Sequence, residues 1–141
     1  MSVADTLAMT HPAFTQSTPL RILVVDPDEC IRESLAGLLR IGGRCAVVGT
    51  AGDPDEAVAI AAATQPDVVL LDPRFPALAG GKGIVGCLRE VAPSACVLVL
   101  NGVTSIGDGP RDDGANASIK KTFRPHELID AVIAAARTPV S

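Results

Sequence analysis

The sequence has no tryptophan or tyrosine and only three phenylalanines, so aromatics make up 2% of its 141 residues. Binding to single-stranded nucleic acid by base stacking needs a platform of such rings, and this chain does not supply one. Basic clusters are scarce too: 12 Lys and Arg stand against 16 Asp and Glu for a net charge of −4, and only "KKTFR" and "RPH" gather cations. A nucleic-acid partner is therefore not expected. No apolar run approaches the roughly 18 residues of a membrane helix, and residues 1–19 lack both the charged start and the apolar centre of a signal peptide. The four cysteines, Cys30, Cys45, Cys87 and Cys96, form no C-x-x-C pair, which removes the usual zinc and redox arrangements. They read as buried, reduced thiols of a cytoplasmic protein without a membrane partner.

Hydrophobic residues make up 48% of the chain, enough for one globular domain with a real core. Residues 1–19, rich in Thr, Ser, Pro and small side chains, read as a flexible leader, and 20–138 as the folded domain, with no output domain after it. Four runs are continuously apolar: "RILVV" 21–25, "CAVVG" 45–49, "DVVLL" 67–71 and "CVLVL" 96–100, with a weaker fifth at "SIKK" 118–121. Runs that do not alternate are the mark of strands covered on both faces of a parallel sheet.

Helical patterns fall between them, at 29–39, 54–64, about 82–91 and 125–137. The second opens with "DPDE", which predicts Asp53 as N-cap, Pro54 at the first helical position and Glu56 three residues after the cap. This alternation predicts an α/β fold with a doubly wound, five-stranded parallel sheet and right-handed crossovers. After the fourth strand, "NGVTSIGDGPRDDGAN" holds four glycines and a proline, so the fourth helix is expected to be shortened or replaced by a loop over 101–116.

In such sheets the ligand site lies beyond the carboxyl ends of the strands. Polar residues stand at those ends: Asp26 after the first strand, Asp72 after the third, Asn101 after the fourth and Lys121 after the fifth. Any one of them alone could be a turn former; together they point to a single rim.

With those residues in place, the chain resembles the receiver domain of bacterial two-component response regulators, over roughly 20–137. The likeness is carried by "RILVVD", "QPDVVLLDPRFP", "CVLVLN" and "GANASIKKTFRPHELIDAV". It implies the strand order 2-1-3-4-5. It also implies that Asp72 accepts a phosphoryl group from a histidine kinase or other phosphodonor, with Lys121 facing the phosphoryl oxygens; Asn101, at the place of the family's hydroxyl residue, offers an amide of different reach toward them. Mg²⁺ would be held by Asp26, Asp72 and the backbone carbonyl of Arg74. A carboxylate can act as nucleophile toward phosphorus, and the charge that transfer concentrates beside existing acids calls for a cation to neutralise it.

The sequence departs from the family pattern at several points. The second acid, ordinarily a direct metal ligand, is Pro27, which offers neither carboxylate nor N–H. Asp28 is the candidate substitute ligand, but one residue further along it points in a different direction and stands where a helix start favours an acid. The hydroxyl residue is replaced by Asn101, the signalling aromatic by Ser118 and the proline after the lysine by Thr122. The resulting expectation is an atypical, stand-alone receiver that signals by contact with a downstream protein, is not an enzyme, and binds Mg²⁺ weakly or not at all.

The competing reading is a phosphorylation-independent interaction module on the same fold. A nucleotide site at "AGGKG" is disfavoured, because Pro76 and Gly83 occupy the places of a P-loop's first Gly and its Ser or Thr. His126, in the first turn of the last helix, has no catalytic partner in view. A homodimer, where one forms, is expected to use the first or last helix rather than 101–116.

Overall fold

Leu20–Val25, Cys45–Ala51, Val68–Leu71, Cys96–Asn101 and Ala117–Lys120 form strands β1 to β5. The structure, a computed structural model, describes residues 18–74, 83–101 and 117–137. The five strands make one parallel sheet in the order β2-β1-β3-β4-β5, as the resemblance implies. Among the described residues four α-helices accompany it: α1 Glu29–Arg40, α2 Pro54–Thr64, α3 Ile84–Val91 and α4 Pro125–Arg137. The expected loop at 101–116 lies, apart from Asn101, outside the described residues.

The unbroken apolar runs have the cause read from the sequence. Along β1, Leu23 and Val25 pack with Ala57, Ala61, Val85 and Leu88 of α2 and α3. The alternate residues Ile22 and Val24 pack with Leu35, Leu39, Leu128 and Val132 of α1 and α4. Successive side chains of a strand point to opposite faces, so a sheet covered twice needs apolar residues at every position. β3, in the middle, is buried at all four of its positions.

The helix ends are built as their sequences suggest. Asp53 accepts from the Glu56 amide at 2.8 Å, with Pro54 in the first turn, while the Glu56 carboxylate reaches back to the Gly52 N–H at 2.9 Å. At the other end Gln65 takes a left-handed conformation, φ 46°, and its side-chain amide donates to the Val91 carbonyl at 2.7 Å. α1 runs into a short 3₁₀ turn at Ile41–Gly43, where Gly42 and Gly43 have φ of 85° and 75°, a region open to glycine at little cost. The cysteines are all free, and Cys45 and Cys87 are buried as expected. Cys30, however, is exposed in the first turn of α1, and Cys96 is only partly buried.

Between Ile22 and Leu23 the β1–β2 register shifts by one residue of β2. Beyond that irregularity Gly49 lies under α2: a Cβ there would meet Ile60 Cγ2 at 2.7 Å. Gly49→Val is therefore expected to destabilise by about 1–3 kcal/mol, the cost of overpacking. Gly37→Ala in α1, where nothing lies within 4 Å, should instead stabilise by about 0.5–1 kcal/mol. Urea unfolding of the two variants beside the parent checks the contrast, and equal effects would refute the close approach.

Candidate functional site

Two of the sheet's ladders continue past the strand ends, which fixes the two acids. The Asp26 amide donates to the Ala51 carbonyl at 3.1 Å and the Asp72 amide to the Val25 carbonyl at 3.0 Å. Both side chains are thereby held at the carboxyl edge, only 1% and 2% exposed, and they are the buried charged residues among those described. Lys121, just after β5, closes the cluster: its Nζ lies 2.8 Å from Asp72 Oδ2 and 3.4 Å from Asp26 Oδ2. The convergence expected for Asp26, Asp72 and Lys121 is thus present in the geometry. Asn101 ends β4 in register with Lys120; its side chain lies outside the described residues.

The sequence reading gave Arg74 only a backbone role, and the structure adds its side chain. Pro73 precedes it, and the Arg74 amide donates to Asp72 Oδ1 at 2.7 Å, an Asx turn that brings the chain straight back over the acid. From there the guanidinium forks onto the same carboxylate, Nε to Oδ1 at 3.0 Å and Nη2 to Oδ2 at 3.1 Å, while Nη2 also lies 3.5 Å from Asp26 Oδ1. Bidentate, charge-assisted pairs of this kind are among the stronger hydrogen bonds in proteins. The available signal was the cation two residues after a strand-end acid.

Arg32 was missed as well. Its Nη1 donates to the Asp26 main-chain carbonyl at 2.8 Å, and a Cβ at position 52 would stand 2.6 Å from that nitrogen, so glycine at 52 leaves it room. Asp28 stands apart from the pocket's acids: its carboxylate accepts from the Ile31 amide at 3.1 Å as N-cap of α1, and its own amide donates to Asp26 Oδ1 at 2.8 Å. Thr122, in place of a proline, accepts from the Arg124 amide at 3.2 Å and donates to Glu127 at 3.1 Å, which braces the start of α4.

The two acids differ in environment. Burial pushes the Asp26 carboxyl up, and the neighbouring Asp72 charge adds to this against the pull of the Asp28 amide and Lys121. Burial acts on Asp72 in the same sense, but the hydrogen bonds from Arg74 and Lys121 outweigh it and hold this carboxyl well below the usual range. Of the pair, Asp72 is the acid whose surroundings favour the charged form.

The oxygens that would face a divalent metal are those of Asp26 and Asp72, and both carboxylates are engaged by cations. Among the described residues no three His, Cys, Asp or Glu side chains come together. Pro27 supplies no oxygen donor from its side chain, and Asp28 is engaged at the helix start. Every carboxylate oxygen of Asp26 and Asp72 already lies within 3.5 Å of a nitrogen donor. Two carboxylates meet two cations, so the charge a metal would balance is already balanced.

The sequence profile of the family described as the response regulator receiver domain matches residues 22–133. The transcriptional regulatory protein PdtaR of Mycobacterium tuberculosis is 33% identical over 120 residues, covering 82% of this chain and 56% of that protein. The response regulator MprA of Mycolicibacterium vanbaalenii is 36% identical over 113 residues, covering 79% and 48%. The chain thus spans about half the length of these curated relatives. Among solved structures, the response regulator domain of Thermotoga maritima CheB superposes with a TM-score of 0.69 at 27% identity, covering 86% of this chain and 98% of that one. No helix among the described residues is long and apolar enough to cross a membrane. A family match across most of the sequence, curated relatives 33% and 36% identical over about four-fifths of the chain and a superposable receiver domain agree: the chain belongs to the receiver-domain family of two-component response regulators.

Proposed function

We propose that this receiver accepts a phosphoryl group on Asp72 from a phosphohistidine donor and signals through contact with a downstream protein. The observation that carries this reading is the buried Asp72 carboxylate at a strand end, held between the Lys121 ammonium and the Arg74 guanidinium. In the transfer, a carboxylate oxygen of Asp72 attacks phosphorus. The P–N bond to the donor imidazole breaks as the O–P bond forms, and the leaving nitrogen keeps the electron pair and takes a proton from solvent. Positioning and charge stabilisation carry most of the catalysis in phosphoryl transfer. Here Lys121 and Arg74 supply the positive charge toward the phosphoryl oxygens, and Asn101, at the end of β4, supplies an amide donor.

A second reading, a phosphorylation-independent interaction module, is favoured by one feature: the pocket's charges are already matched without a phosphoryl group. Phosphotransfer from a histidine-phosphorylated kinase domain, followed by radiolabel, separates the two. Under the first reading the parent protein takes up label and Asp72→Asn does not. Absence of label in the parent across a panel of donors would favour the second.

A further inference from the structure

We infer that the Arg74 guanidinium is a built-in counter-cation that takes the place of a divalent ion between Asp26 and Asp72, so that these acids bind Mg²⁺ only when Arg74 is displaced. The geometry carries this. The guanidinium forks onto both oxygens of Asp72 and approaches Asp26 with the same Nη2, so one group bridges the two acids that would have to hold a metal. Its backbone is fixed at the pocket by the Asp72–Arg74 turn, so the fork costs little further chain ordering. The acid that would complete a third ligand is replaced by Pro27, and the next one along, Asp28, caps α1. Arg74 is also the most exposed member of the cluster, its side chain 59% exposed against 16% for Lys121. It is therefore the cation that can leave without unpacking the core.

A divalent ion entering this pocket meets like charge from Lys121 and from Arg74 alike, and removing the second of these should strengthen its binding. Mg²⁺ is held mainly by a few carboxylates together with water, so two acids freed of the guanidinium suffice for a modest site. The inference goes beyond the phosphoryl-transfer reading and stands apart from it, since it concerns the protein before any phosphodonor is added.

The test is Mn²⁺ binding, followed by the electron paramagnetic resonance of the free ion and by competition with Mg²⁺, on the parent, Arg74→Met and Arg74→Lys. Methionine keeps an apolar stem without donors, and lysine keeps the charge without the fork. The expected result is affinity at least about tenfold higher in Arg74→Met than in the parent, with Arg74→Lys between them, and loss of the gained site in Arg74→Met combined with Asp26→Asn. Equal affinity in parent and Arg74→Met would overturn the inference, as would a gained site that survives Asp26→Asn. Because no phosphodonor is present, either outcome leaves the phosphoryl-transfer reading to its own experiment.

Discussion

Replacing Lys121 with methionine is expected to lower the unfolding free energy at neutral pH by about 3 kcal/mol, the scale for removing one partner of a buried ion pair. Lys121 is 16% exposed and sits 2.8 and 3.4 Å from two carboxylates that are almost fully buried. Without it, Asp26 and Asp72 rely on Arg74, whose side chain is largely in water and correspondingly screened. The deficit should depend on pH. Burial works to raise the Asp72 carboxyl, but hydrogen bonds from Arg74 and Lys121 depress it below its ordinary 3.8. A depressed carboxyl contributes stability that is present above the unfolded value and lost as pH falls through the folded one.

In the variant that depression shrinks, so acid costs it less and the two stability curves converge below about pH 4. Asp26 acts in the same direction. Burial raises its carboxyl, so the stability it contributes is complete below its unfolded value and is lost as pH rises through the folded one. At neutral pH its charged form is the costly one, and the Asp28 amide and Lys121 support it. Urea unfolding from pH 7 down to pH 2 checks this; a deficit of constant size across that range would show that Lys121 acts through its packed stem and not its charge.

Leu70→Ala should cost a similar amount for an unrelated reason. Leu70 lies in β3, the middle strand of the sheet, is 0% exposed, and packs among the residues that join the sheet to α1 and α4. Truncation removes its transfer energy and leaves a cavity that two neighbouring strands prevent from closing, about 2–5 kcal/mol in all. This loss should be independent of pH, because no titratable group lies in that cluster apart from the thiols of Cys45 and Cys96, which burial pushes upward, away from the acid range. Thermal or urea unfolding at two pH values measures it. A loss below about 1 kcal/mol would mean that the layer between the sheet and α1 and α4 is loosely packed.

What could be read from the sequence was local and periodic. Unbroken Val and Leu gave the strands, Asp53, Pro54 and Glu56 gave the start of α2, and strand-end polarity gave Asp26, Asp72 and Lys121. The strand order followed from the family resemblance, because apolar runs carry no record of which neighbour they pair with. Arg74 escaped for a physical reason. Its backbone position follows from the Asp72–Pro73 turn, but the direction of its side chain depends on two acids, one of them 48 residues away in sequence. Arg32 needed knowledge of Gly52, which is distant in the chain but adjacent across the carboxyl edge. Asp28 is the reverse case: it could be weighed as a stand-in for the acid missing at Pro27 or as an acid at the helix start, and the geometry shows the cap expected from local chemistry.

The most direct measurement is the intact mass of the protein after incubation with acetyl phosphate, with and without millimolar Mg²⁺, beside Asp72→Asn, followed by borohydride trapping to locate the modified residue. The expected result is the mass of one phosphoryl group on the parent, placed at Asp72, and none on the variant. No gain in the parent under either condition, or the same gain in both proteins, would contradict Asp72 as the acceptor.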